Sequence, residues 1–316
     1  MRTFFSTSEV PVGFGPSAVT VGKFDGMHAG HRAVIKRLRR EAEDRGLTSV
    51  VMTFDRNPLS LLRPERCPPA LVSNAQKLEL LAASGVDATL MVTFDESFSA
   101  IPAAEFMRTI LLDALHSEVV MVGHDFRFGA GGLGTVDSLR GFGAAHGIEV
   151  IVIDDVSQDD SRRVSSTSVR VMLAEGRAAE AAELLGAPHT IRSVVVHGVE
   201  RGRALGYPTA NLAQQIEGLV PADGVYAAWL TVDDIRYPAA VSVGNNHTFD
   251  GVPAKQVEAH ALDANIDLYD KTVEVSFVDF VRGMRKFDGV EALIAQMTDD
   301  EARVRDVLRV SPRATV

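Results

Sequence analysis

Two stretches combine glycine with imidazole, hydroxyl and amide side chains at spacings suited to phosphate chemistry. The first is Gly22-Lys23-Phe24-Asp25-Gly26-Met27-His28-Ala29-Gly30-His31. His28 and His31 are three apart, the second at the start of a predicted helix, so both rings share a face. At the positive end of a helix they can aim at one anion. Gly26 and Gly30 remove side chains where backbone and phosphate must come close. This suits attack of a phosphate on the α-phosphorus of ATP with loss of pyrophosphate, where positioned donors stabilise charge spread over oxygens without covalent catalysis. An isolated His-x-x-His is more often a surface or metal-binding pair. The flanking Gly-x-Phe-Asp-Gly and the strand-to-helix position favour the phosphate reading. A second element, Ser165-Ser166-Thr167-Ser168-Val169-Arg170, precedes a helix. It offers hydroxyls, N–H groups and the Arg170 guanidinium to further phosphates, with plain N-capping as the alternative.

The other stretch is Gly202-Arg203-Ala204-Leu205-Gly206-Tyr207-Pro208-Thr209-Ala210-Asn211. Gly202 and Gly206 allow a loop to fold over phosphates. Thr209 and Asn211 face the same way in an extended segment and are hard oxygen donors suited to Mg²⁺. Glu258, on the predicted strand Gln256–Leu262, is placed to accept a proton from an alcohol attacking a γ-phosphate. Taken singly, Pro-Thr-Ala-Asn reads as a turn and Glu258 as a solvated strand residue.

The elements that must position these residues fall into two patterns. In the first half, apolar strands at Ser17–Val21, Ser49–Phe54, Ala88–Phe94, Glu118–Val122 and Glu149–Ile153 alternate with helices. The helices are His31–Arg45, Lys77–Ser84 behind a Ser73/Gln76 capping box, and Ala103–Leu115 behind Pro102. This predicts an α/β, Rossmann-like domain with a mainly parallel sheet, its ligands outside the carboxyl ends of the strands. A helical stretch Val169–Leu185 ends at Gly186-Ala187-Pro188, which places a boundary between domains 1–186 and 187–316. Beyond it, strands at Ser193–His197, Gly224–Val232, Pro238–Val243, Gln256–Leu262 and Thr272–Val278 without intervening helices predict a small antiparallel barrel. A terminal helix follows, its start marked by Asp288 and Glu291 and its apolar face by Val290, Leu293, Ile294 and Met297.

Bulk properties narrow the classes. The 316 residues, 46% hydrophobic and 23% charged, are ordinary for a two-domain globular protein. Cys67 is the only cysteine, so neither an intrachain disulfide framework nor a cysteine metal cage forms. Met1-Arg2-Thr3-Phe4-Phe5 lacks the plan of a signal peptide, and no apolar run approaches the roughly 20 residues of a membrane span, so a cytoplasmic protein without membrane contacts is expected. A formal net charge of −10 argues against nucleic acid while leaving small anionic ligands to local positive potential. A homo-oligomer stays open.

The Gly-x-Phe-Asp-Gly-x-His-x-Gly-His and Ser-Ser-Thr-x-x-Arg runs resemble the adenylyltransferase module of prokaryotic bifunctional FAD synthetases over roughly Val10–Gly186. The resemblance implies that FMN and ATP yield FAD and pyrophosphate. It implies ATP contacts for Gly22, Phe24, Asp25, Gly26, His28, His31, Ser166, Thr167 and Arg170. Val122-Gly123-His124-Asp125-Phe126-Arg127-Phe128-Gly129 is similar to the family's flavin-site loop, which implies flavin contacts for Asp125, Phe126 and Phe128. Phe54-Asp55-Arg56-Asn57-Pro58 is similar to another flavin-side segment, with Asn57 its contact. Ordinary turn chemistry is the alternative for both loops.

From about Pro188 to Leu308 the chain resembles the riboflavin kinase module. The matching runs include Gly224-Val225-Tyr226, Val257-Glu258-Ala259-His260, Leu268-Tyr269 and Lys286-Phe287-Asp288. This implies a six-stranded barrel that binds riboflavin and ATP with Mg²⁺. Gly202 and Gly206 would lie on ATP, Thr209 and Asn211 on metal and phosphate, and Glu258 would be the catalytic base. Arg282, Arg285 and Phe287 fall where the family closes over the flavin, without a firm role. Two departures stand out: Lys23 at a variable motif position, and His247 where the family usually has proline. The expectation is a bifunctional flavin-phosphorylating and adenylylating enzyme. Its rivals are a nucleotidyltransferase for a non-flavin phosphate and a non-catalytic flavin-binding protein.

Overall fold

A computed structural model describes residues 1–153, 164–197, 207–245, 255–264 and 266–311. Gly202, Gly206 and His247 lie outside them. By contacts the chain divides into two units, Met1–Val164 and Ser165–Val316.

The first unit begins with β1 (Arg2–Phe4) and β2 (Ser17–Val21), then α1 (Ala29–Arg45) and β3 (Thr48–Phe54). α2 (Leu59–Leu62), α3 (Asn74–Ala83), β4 (Ala88–Val92), α4 (Glu96–Ser99) and α5 (Ala103–Phe106) follow. The last runs into a π-helical stretch, Met107–Ala114, before β5 (Ser117–Gly123), α6 (Val136–His146) and β6 (Glu149–Ile153). The six strands form one parallel sheet in the order β1-β4-β3-β2-β5-β6. Both faces are covered, as parallel sheets require. Val19, Val50, Met52 and Val120 enter one buried cluster, while Ala18, Val51, Val119 and Met121 enter another with Ile35 and Leu38 of α1. The order β4-β3-β2-β5-β6 reverses direction between β2 and β5. That crevice, outside the strands' carboxyl ends, is where such sheets hold ligands.

The second unit opens with α7 (Ser166–Ala174) and α8 (Ala178–Leu185). Next come β7 (His189–Val196), β8 (Ala210–Leu212), β9 (Gly224–Val232), β10 (Ile235–Asn245), β11 (Lys255–Ala261) and β12 (Thr272–Arg282), and finally α9 (Val290–Leu308). The strands close into a six-stranded antiparallel barrel, ordered β10-β11-β8-β7-β12-β9. Alternation fills it: Val241, Val243, Val257, Ala259, Val275 and Phe277 are buried together inside.

Several boundaries differ from the sequence reading. The single helix expected over Val169–Leu185 is two, because Gly176 takes φ +77° between them. The Asp288/Glu291 start is wrong by one residue: Gly289 is the N-cap, no side chain caps the helix, and Glu291 stands at the second helical position rather than the third. The buried stripe of α9 also lies further on, at Val304 and Leu308 against Ala227 and Leu262, while Val290 is 55% exposed. β1 and β8, three residues each, were not expected as strands.

The sequence division at 186/187 assigns α7 and α8 to the first domain. By contacts they cluster with the second unit, where Leu173 accepts a hydrogen bond from the Ala222 amide at 2.9 Å.

Candidate active sites

The loop after β2 is held in a conformation few sequences tolerate. Phe24 and Met27 adopt φ +46° and +48°, unfavourable for side chains with a Cβ, and Gly26 takes +83°. Burial compensates, since both side chains join the cluster of Ile35 and Leu38 at 2% and 4% exposure. Hydrogen bonds fix the rest. Asp25 Oδ1 accepts from the Leu71 and Val72 amides at 2.9 and 3.3 Å, Thr53 Oγ1 donates to the Lys23 carbonyl, and Arg32 donates to the Met27 carbonyl at 2.8 Å. Asp25 thus serves the loop's shape. Gly22 has a local reason as well: a Cβ there would stand 2.9 Å from the Phe24 ring.

This loop delivers His28 to the N-cap of α1, with no side chain capping the helix. The His28 and His31 rings stack with centroids 3.8 Å apart and planes at 21°, and the Phe24 ring lies 5.1 Å from His31. Gly30 also has a packing use. A Cβ there would come 3.2 Å from the His28 ring, so this glycine makes room for the imidazole. Burial, then the neighbouring His28, Lys23 and Arg32, hold the His31 pKa well below 6.5. His31 is therefore a neutral imidazole at pH 7. Its Nδ1 is buried without a hydrogen-bond partner among the described residues. Positive potential at this loop comes from Lys23, Arg32 and the helix end.

The β5 loop begins on the other side of the crevice. Asp125 is exposed, and the Phe126 amide closes a turn on the Gly123 carbonyl. Phe126 and Phe128 stack at 5.3 Å and 19°. Phe128 is a core residue at 7% exposure, packed on Phe106. The contacts continue through Phe98 to Phe54 at the end of β3, so one row of rings underlies both loops with sequence-assigned flavin residues. Asn57 has a turn role: its Oδ1 accepts from the Leu59 amide at 3.1 Å.

Sequence reasoning missed Lys77. It projects from α3 to 7% exposure, donates to the Phe54 carbonyl at 2.8 Å, and feels the charges of Asp25 and Asp55. Burial lowers its pKa against the pull of those carboxylates. The signal was its position four residues before Leu81, on the buried face of the helix.

In the second unit, α7 carries Ser166, Thr167 and Arg170 in its first turns. The N-cap is Ser165, whose Oγ accepts from the Ser168 amide at 3.2 Å.

Within the barrel, Glu258 on β11 pairs in register with Asn211 on β8 and with Ser242 on β10. The Thr209 hydroxyl donates to the Glu258 carboxylate. Burial raises the pKa of Glu258 above 4.5, and the Thr209 bond partly offsets the rise. Thr209 also lines a cavity of about 590 Å³, walled by Ala259, Ala261, Ile266, Leu268 and Tyr269. Among the described residues no group of three or more His, Cys, Asp or Glu side chains is arranged to hold a metal ion. The donors present are a hydroxyl, an amide oxygen and one carboxylate. They fit Mg²⁺, which keeps waters and phosphate oxygens in its shell and needs few protein ligands.

Arg282 is tied to α9. Its guanidinium grips Asp300 at 2.8 and 2.6 Å and lies 5.8 Å from the Phe287 ring. Arg285 reaches Gln296 at 3.4 Å. His260, unassigned in the sequence reading, contacts the Pro208 carbonyl through Nδ1 at 2.8 Å and Glu301 through Nε2 at 3.0 Å.

A parallel sheet with stacked histidines at its switch point, followed by a closed barrel that sets a carboxylate beside a threonine and an asparagine, defines a two-part phosphate-transfer protein. A family model for FAD synthetase matches residues 14–168, and one for riboflavin kinase matches residues 185–308. The "Bifunctional riboflavin kinase/FMN adenylyltransferase" of Escherichia coli (strain K12) is 37% identical over 291 residues, covering 91% of each chain. The protein of the same name from Listeria monocytogenes is 36% identical over 288 residues, again covering 91% of each. The chain belongs to the family of bifunctional riboflavin kinase/FMN adenylyltransferases. It is also similar to a crystal structure of a macrolide-efflux protein from Streptococcus pneumoniae, with TM-score 0.86 and 34% identity, covering 96% of this chain and 98% of that one. No helix among the described residues is long and apolar enough to cross a membrane.

Proposed function

We propose that the chain phosphorylates riboflavin to FMN in its C-terminal part and adenylylates FMN to FAD in its N-terminal part, each step consuming ATP. The observation that carries this reading is the side-by-side match of the two families on one chain, with relatives of that double name across nine-tenths of its length. The functional division is taken at 1–186 and 187–316.

In the kinase step Glu258 accepts the proton of the ribityl 5′-hydroxyl, whose oxygen bonds to the γ-phosphorus as ADP leaves. The register beside Asn211 and the hydrogen bond from Thr209 support this role. Thr209 and Asn211 are assigned to the metal, with Gly202 and Gly206 on the ATP phosphates. Bound Mg²⁺ would supply charge neutralisation on those phosphates.

In the adenylyl step the FMN phosphate attacks the α-phosphorus of ATP and pyrophosphate leaves. His28 and His31 donate hydrogen bonds to oxygens gaining charge, and a neutral His31 suits a donor whose proton affinity rises as that charge develops. Gly22, Phe24, Asp25 and Gly26 shape the loop that receives ATP. Ser166, Thr167 and Arg170 are assigned to its outer phosphates. Asp125 and Phe126 are assigned to the flavin, with Asn57 and Phe128 supporting the same side from a turn and from the core. A cytoplasmic location goes with this reading, since both steps consume ATP.

The test is chromatographic product analysis with Mg-ATP and either riboflavin or FMN. FAD from both substrates, with FMN appearing first from riboflavin, is the expected result. FMN without FAD, or FAD from neither, overturns it.

A further inference from the structure

We propose that His260 is a positioning residue for phosphoryl transfer, clamping the segment that presents Thr209 to Glu258. This rests on the assignment of Thr209 and Glu258 given above. Glu258 and His260 are two apart on β11, so their side chains leave the strand on the same face. The register Glu258–Asn211, Ala259–Ala210 leads on toward Thr209 and Pro208. The two β11 side chains hold that segment by different groups: Glu258 takes the Thr209 hydroxyl, and His260 takes the Pro208 carbonyl one residue earlier. The carbonyl belongs to the peptide unit joining Pro208 to Thr209. Fixing it therefore limits rotation about the bonds that aim the Thr209 side chain.

The imidazole is itself fixed from behind. Its Nε2 meets Glu301 of α9 at 3.0 Å, and Arg305, one turn on, lies 3.8 Å from Glu301 while gripping Asp263 at 2.7 and 2.9 Å. A backbone carbonyl only accepts, so the Nδ1 that faces Pro208 carries the N–H of that contact. A second tie from the same helix holds the segment, for the Tyr207 hydroxyl meets Thr298 at 3.0 Å and its ring lies 5.5 Å from His260. The terminal helix thus braces the transfer site through the His260 imidazole and the Tyr207 hydroxyl, although none of its own side chains is assigned to substrate.

The test uses the full-length chain. His260→Ala is expected to lower kcat for riboflavin phosphorylation by about tenfold, the scale of one lost hydrogen bond, with KM for riboflavin within about twofold and FMN adenylylation unchanged. His260→Asn keeps a donor near the place of Nδ1 and is expected to restore most of kcat. His260→Gln extends toward Glu301 instead and is expected not to. Glu301→Ala combined with His260→Ala is expected to cost no more than His260→Ala alone. Wild-type kcat in His260→Ala, equal activity in the Asn and Gln variants, or additive losses in the double variant would overturn the proposal. Should His260→Ala fail to fold, the Asn and Gln pair decides. Glu258→Gln, assayed in parallel, separates the two levels. If it remains active, the site assignment itself fails. If it is inactive while His260→Ala is not, only the positioning role falls.

Discussion

Replacing Glu258 by glutamine tests the kinase site while disturbing the barrel little. The amide oxygen still accepts from Thr209, so the local bond changes from charge-assisted to neutral, a loss of about 1 kcal/mol. The cross-strand register with Asn211 and Ser242 involves backbone and is kept. Catalysis suffers far more, because an amide cannot take the hydroxyl proton. General-base catalysis contributes about 10²–10⁴-fold, which corresponds to roughly 3–5 kcal/mol of barrier. Riboflavin phosphorylation should fall by that factor, while FAD formation from supplied FMN stays at the wild-type rate. The pH profile adds a second readout. Burial holds the Glu258 carboxyl above 4.5, so kcat/KM for the kinase should rise with pH through a pKa above that value, and the glutamine variant should lack this limb. The assay is chromatographic separation of riboflavin, FMN and FAD over time. Kinase activity within threefold of wild type, or an acid limb that persists in the variant, would refute the role of Glu258.

Three further outcomes follow from the geometry. His31→Ala should lower adenylyl transfer by about 10²–10³-fold, the cost of one lost transition-state donor, and leave FMN accumulating from riboflavin; full FAD yield would remove His31 from the mechanism. His189, buried and bonded to the Leu219 carbonyl, has its pKa lowered by burial from 6.5 to about 4. The unfolded chain therefore binds a proton that the folded chain refuses between those values. Stability should fall by roughly 3 kcal/mol as pH drops from about 6.5 to about 4, and denaturant titrations of His189→Gln should show a shallower slope across that window than wild type. Gly129→Ala should lower Tm and raise KM for FMN, because Gly129 takes φ +72° and a Cβ there would stand 2.6 Å from the Ala103 backbone; about 1–3 kcal/mol is expected, and an unchanged melting curve would contradict the packing.

The first lobe was legible where signals are local. Its five longer strands, the Ser73/Gln76 box and the Pro102 helix start follow from periodicity and capping, and all appear in the structure. The placement of the His28 motif after the first of those strands followed from the same alternation. Strand order did not, because it depends on pairings between distant segments such as β2 with β5. β1 and β8 are too short for a periodic signal, and each exists only through its partner strands. The break at Gly176 was hidden because helical residues flank it on both sides. At the sites, residue types pointed to phosphate chemistry, but supporting contacts were invisible. Nothing in the spacing of Lys77 or His260 told that one would reach the Phe54 carbonyl and the other the Pro208 carbonyl. The lowered pKa of His31 likewise arises from packing and neighbouring charge rather than from its motif.

The central claim is that two separate sites on one chain act in sequence on one flavin. Mixing Glu258→Gln with His31→Ala, each supplied with riboflavin and Mg-ATP, tests it most directly. Alone, the first should make neither FMN nor FAD and the second only FMN. Together they should form FAD, because FMN released by one chain is adenylylated by the other. No FAD from the mixture, with each variant still competent in its own half-reaction on supplied substrate, would contradict the account.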